Sequence, residues 1–262
     1  MTSKRESLPR TMAPRIRAAL IHLSLSAAIA FLVFLAIYLL LYPDALFEGA
    51  GGKELFLLIV GVDVTVGPLV TLVIFKPGKW GLKFDLACIA IAQVTALTYG
   101  VWVMVEARPV YVAFVVDRFA IVRANGFPQG ALEQGRAKGY DRLPWTGPKF
   151  VGVQLPANPD EQFNLMISGF GGVDAEYYPQ YYVPYDEIRD AVKAAALPLS
   201  RLRTFNPQRA ADIDAAVAAT GRKEADLRYV PMRSGPNDLS VLVAKDTGDV
   251  LKITSLVPWD QR

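Results

Sequence analysis

Residues 55–75 read LFLLIVGVDVTVGPLVTLVIF and carry a single charge, Asp63. A bilayer core about 30 Å thick needs roughly 20 apolar helical residues to cross it. This stretch has that length. So do residues 18–42 (AALIHLSLSAAIAFLVFLAIYLLLY) and 84–105 (FDLACIAIAQVTALTYGVWVMV). Three such runs in succession predict a three-helix transmembrane bundle rather than buried helices of a soluble protein. The first run far exceeds the roughly 7–15 apolar residues of a signal peptide, and no small-residue cleavage site follows it, so it reads as a retained span.

Working outward, the flanks set an orientation. Lys4, Arg5, Arg10, Arg15 and Arg17 precede the first span, and Lys76, Lys79 and Lys83 fill the turn between the second and third. The loop between the first two spans offers only Lys53 beside Asp44, Glu48 and Glu54. Positive flanks stay on the cytoplasmic side. The expectation is a bacterial inner-membrane protein with residues 1–17 cytoplasmic, spans within 18–106, and residues 107–262 periplasmic.

The chain has 28 Lys/Arg and 25 Asp/Glu, and 52% of its 262 residues are hydrophobic. Residues 107–262 hold 19 basic and 18 acidic residues, the balance of an ordinary folded domain. That balance argues against a nucleic-acid partner, and the apolar content excludes disorder. Cys88 is the only cysteine and falls inside the third span, so the exported part has no disulfide and must rely on its own core.

Proline 109 ends the third span, and VYVAFVV (110–116) with the return 119–123 predicts a hairpin leaving the membrane with almost no linker. Further strands are expected at 150–155, 227–232, 239–244 and 250–256, with a tight turn at Gly248. Helices are expected near 131–138, at 160–169 behind Asn158-Pro159, at 186–196, and at 208–220 capped by Asn206. Residues 197–205 read as turn. The fold class is therefore three membrane helices followed by an α+β domain on a mainly antiparallel sheet.

Asp63 is costly inside a membrane and marks a candidate site. At about 1.5 Å per residue, Gln93 and Thr95 reach its level, so an Asp63–Gln93–Thr95 polar clasp is one reading. A contact with an incoming partner helix is another, and a proton relay a third, weakened by the lack of a second acid or base at that depth. Gly61, Gly67 and Pro68 around the acid predict a kinked, closely packed interface. His22, with no ligand partners, is expected to hydrogen-bond at the membrane interface. In EYYPQYYVPY (176–185), Tyr177, Tyr181, Tyr182 and Tyr185 fit either a recognition surface or a packed structural loop. The exported domain has no His and no Cys, which removes thiol, His-based and ordinary zinc chemistry. No catalytic residue, metal or cofactor is expected.

Several of these stretches together resemble the TfpX/TfpZ family of type IV pilin accessory proteins. They are GVDVTVGPLVTLVIF (61–75), KFDL (83–86), ARPVYVAFVVDRF (107–119), YVPY (182–185) and the terminal Pro258-Trp259. The resemblance implies a non-enzymatic, chaperone-like factor whose partners are the major pilin and membrane lipid, and it brings no catalytic residues. Asp63, Gly61, Gly67, Pro68 and the four tyrosines are the candidate partner-binding residues. A membrane-anchored ligand-binding or sensory module is the alternative.

Overall fold

A computed structural model describes residues 12–235 and 237–260. Lys4, Arg5 and Arg10 of the orientation signal lie outside the described residues. The chain divides into two compact units, one of residues 1–37 and 53–104, the other of residues 38–52 and 105–262.

The first unit is built from α1 (Met12–Leu40), α3 (Gly52–Ile74) and α4 (Leu82–Glu106), each long and apolar enough to cross a membrane. Large apolar side chains point outward: Leu58, Val73, Phe84 and Ile91 are all exposed. Such a surface fits hydrocarbon, because helices satisfy their own backbone polar groups there. Close approach depends on small residues. A Cβ on Gly100 of α4 would collide with Ile59 of α3, and Phe34 of α1 meets Phe56 of α3 with ring centroids 5.4 Å apart. Lys79 and Asp85 pair across the turn from α3 to α4.

The second unit is a mixed sheet flanked by short helices. Its strands are β1 (Pro109–Val115), β2 (Arg118–Arg123), β3 (Lys149–Val153), β4 (Tyr182–Pro184), β5 (Leu227–Arg233), β6 (Leu239–Ala244) and β7 (Val250–Thr254), in the order β4-β3-β1-β2-β5-β6-β7. Four of the six pairings are antiparallel; β1–β3 and β2–β5 are parallel. The β1–β2 hairpin turns at Val116, at φ 57°, where the Asp117 N–H donates to the Val115 carbonyl at 2.7 Å. A β-branched residue in that region is strained. The β6–β7 turn uses Gly248 at φ 74°, as the sequence requires.

Hydrophobic clusters of described residues lie on this sheet. Val110, Tyr111, Val122, Val151 and Tyr182 belong to one. Leu202, Ile213, Leu227, Tyr229 and Leu242 belong to another, under α8 (Leu199–Phe205) and α9 (Ala210–Ala219). The halves meet at β2–β5, where only Phe119↔Met232 and Ala120↔Arg233 are in register. Arg123 fastens this seam, donating to the carbonyls of Ser234 at 3.1 Å and Ala50 at 3.2 Å.

Three local expectations are corrected. Residues 199–205 form a helix rather than a turn: its buried Leu199 and Leu202 give it an apolar face on the second of these clusters. Asn206 makes no capping bond; its buried amide instead donates to the Leu202 and Val257 carbonyls and accepts from the Val257 N–H at 3.0 Å. The helix expected over 186–196 splits into a 3-10 turn (Tyr185–Ile188) and α7 (Arg189–Ala195).

The loop between the first two spans also belongs to the sheet unit. Its short helix α2 (Leu46–Gly49) buries Leu46 and Phe47. A Cβ at Gly49 would strike the Leu239 side chain of β6. Gly147 donates to the Leu40 carbonyl at 2.7 Å.

Candidate functional site

Two places hold the residues singled out by sequence. In the helical unit, Gln93 of α4 donates from Nε2 to the Asp63 backbone carbonyl of α3 at 3.0 Å. A carbonyl only accepts, so the Gln93 oxygen is turned the other way, 2.7 Å from His22 Nε2 of α1. That nitrogen must then donate. In a neutral ring His22 Nδ1 is therefore the acceptor, and Thr71 Oγ1 of α3, at 2.6 Å, donates to it. The four groups run along α3 from Thr71 to Asp63, eight residues or about 12 Å at 1.5 Å per residue. All three helices contribute.

The sequence explains the seat of this chain. Pro68 lies inside α3 and has no N–H to offer the Val64 carbonyl four residues back, the neighbour of the Asp63 carbonyl. Gly67 is buried, and a Cβ there would overlap the Gln93 amide. Gly61 has nothing within 4 Å of its would-be Cβ and faces outward. The Asp63 side chain lines a small cleft of about 170 Å³ with His22, Ser26, Ala30 and Gln93. Thr95 is exposed on α4 and is not brought to Asp63. The interfacial role expected for His22 gives way to these two bonds inside the bundle.

In the sheet unit the tyrosines are largely turned inward. Tyr182 is fully buried, its hydroxyl donates to the Glu176 carbonyl, and its ring meets Tyr111 and Tyr140 at 5.2 and 5.3 Å. Tyr185 packs on Phe119 and Phe150 and donates to the Gly248 carbonyl at 2.6 Å. Tyr177 meets Phe127 at 5.8 Å. Tyr181 sits beside Tyr178 with its hydroxyl 3.5 Å from Glu161. Burial pushes the Tyr111 and Tyr185 phenols up to about 12 and raises Tyr182 as well, with neighbouring Tyr111 and Glu176 adding to the effect.

The exposed apolar surface lies elsewhere. Helix α6 (Pro159–Phe170) has no buried residue. Phe163, Met166, Ile167 and Phe170 stand 58, 52, 50 and 84% exposed. Their spacing of i, i+3, i+4, i+7 makes one stripe. The sequence predicts this helix, and the same spacing could have singled out its apolar face. Among the described residues no group of three or more His, Cys, Asp or Glu is placed to hold a metal.

Comparison with known proteins adds an independent line. The chain is 28% identical over 218 residues to the fimbrial assembly protein of serogroup I of Dichelobacter nodosus, covering 82% of this chain and 84% of that one. The serogroup E1 fimbrial assembly protein of the same organism matches to the same extent. The protein of serogroups C1 and C2 is 37% identical over 105 residues, 39% of this chain and 79% of its own length. No family model matches, and no solved structure does.

Proposed function

The chain belongs to the family of fimbrial assembly proteins, and from that premise we propose that it is a non-enzymatic accessory factor for type IV pili of the TfpX/TfpZ kind. It sits in the bacterial inner membrane with its N-terminus cytoplasmic and its sheet domain periplasmic. It binds the major pilin and supports the subunit's stability or assembly. The observation that carries the reading is the extent of the relationship: the matches to the serogroup I and E1 proteins cover 82% of the chain, too much to lie in one unit alone.

The geometry supports a binding rather than a catalytic role. Thr71, His22, Gln93 and the Asp63 backbone carbonyl hydrogen-bond one to the next inside the bundle, as a clasp fixing three helices does. The outward surface of the helices and the stripe on α6 are apolar, and contiguous exposed apolar surface marks contact with lipid or protein. In this reading the spans meet membrane lipid and the subunit's apolar helix, while the domain meets its soluble part.

Deleting the gene in a piliated host tests the function. Pilin abundance or surface pili should fall sharply, and expression of the full chain should restore them. Unchanged levels of both would refute the proposal.

A further inference from the structure

Helix α6 presents a problem of stability that points to a partner. It has 12 residues, and isolated helices of that length are marginal in water. Most helices of this size are held by an apolar face packed into a core. This one buries no residue completely, and its largest apolar side chains form a stripe facing out. Its start is set locally: Asn158 Oδ1 accepts from the Asp160 N–H at 2.8 Å and the Glu161 N–H at 3.4 Å. Beside the stripe lies a hollow of about 600 Å³, bordered by Leu155, Leu165, Met166, Gly169 and Phe170. Met166 and Phe170 belong to both, so stripe and hollow are continuous; Gln162 and Asp174 also border the hollow.

The charge around it is one-sided. From Phe150 to Ile188 there is no Lys or Arg, while Asp160, Glu161, Asp174, Glu176, Asp186 and Glu187 fall in this interval. Asp174 and Glu176 are answered by Arg233, and Asp186 by Arg189. Asp160 and Glu161, at the head of the stripe, make no ion pair among the described residues.

We infer that the α6 stripe is the docking surface for an apolar protein segment bordered by Lys or Arg, and that this segment belongs to the fimbrial subunit. The second half rests on the pilin-binding reading above. Charge selects the occupant. Helices that lie on membranes carry Lys and Arg toward anionic headgroups, and α6 carries none. A second copy would set acid against acid. A basic, apolar partner covers Phe163, Met166, Ile167 and Phe170 and meets the Asp160 and Glu161 carboxylates, neither of which is in an ion pair among the described residues.

The test places a photo-cross-linking phenylalanine analogue at position 166 or 170 of the full chain in piliated cells. A control probe occupies exposed position 223, and a further set lies within 55–75. Adducts to pilin are expected from 166 and 170 and not from 223. The charge reversals Asp160→Lys and Glu161→Lys together should lower their yield at least five-fold. If 55–75 captures pilin but 166 and 170 capture nothing, only lipid, or only a second copy of this chain, the docking inference fails and the proposed function stands. If no position captures pilin, both fail.

Discussion

At the residue scale, two glycines four and two positions from one acid, Asp63, behave oppositely. Gly67 makes room for the Gln93 amide, whereas Gly61 faces open space. Gly67→Ala should therefore displace Gln93 from the Asp63 carbonyl and destabilise the helical unit by about 1 kcal/mol, within the range of interhelical hydrogen bonds in membranes. Gly61→Ala should leave stability unchanged or slightly raised, since alanine is the better helix former. Thermal unfolding of the two variants in the same detergent separates them; equal losses would show that Gly67 is not a seat for Gln93. Part of this site was legible beforehand. Depth arithmetic selects Gln93 and Thr95 alike, of which only Gln93 reaches Asp63, and Gly67-Pro68 marks a close turn. His22 and Thr71 were not legible, because which face of α1 turns toward α3 and α4 depends on packing that sequence spacing does not encode.

At the element scale, α6 depends on its cap more than other helices do. Elsewhere a core supports the backbone: Ile213 and Ala216 anchor α9. Asn158→Ala removes the acceptor for two helix N–H groups and costs about 1 kcal/mol. Because no buried residue resists, the loss should appear as local opening. Hydrogen exchange of residues 160–170 should accelerate several-fold while β1 and β6 keep their protection. Uniform acceleration across the domain would contradict this. The strands with clear alternation or β-branched runs were readable from sequence, and so was α6 from its Asn-Pro start. The three-residue β4 was not, since it exists only through pairing with β3 at Val151–Val153. Nor was α8, whose seven residues are too few to display a helical period. The tyrosine-rich stretch illustrates a different difficulty: composition marks it as special, but only the fold decides that Tyr182 faces the core.

At the scale of the whole molecule, a core rich in buried phenols ties the domain's stability to alkaline pH. Tyr111 and Tyr185 titrate near 12 when folded, against about 10 when unfolded. A raised folded pKa favours the protonated form, so the contribution is complete below pH ~10 and is lost as pH climbs toward 12. Tyrosinate absorbance and near-UV circular dichroism should change together above pH 10. Phenols that ionise near 10 with the fold intact would overturn this. The allegiance of residues 38–52 to the sheet unit was not legible at all, because Leu46 and Phe47 look like any loop hydrophobics until β6 is in place. The seam between β2 and β5 has a last consequence, and it concerns time. About a hundred residues separate the end of β2 from the start of β5, which at translation rates of roughly 5–20 residues per second is ~5–20 s of synthesis. During that interval β2 waits with one edge unpaired, a template for wrong pairing. Every newly made copy passes through this half-sheet before Arg123 can close it.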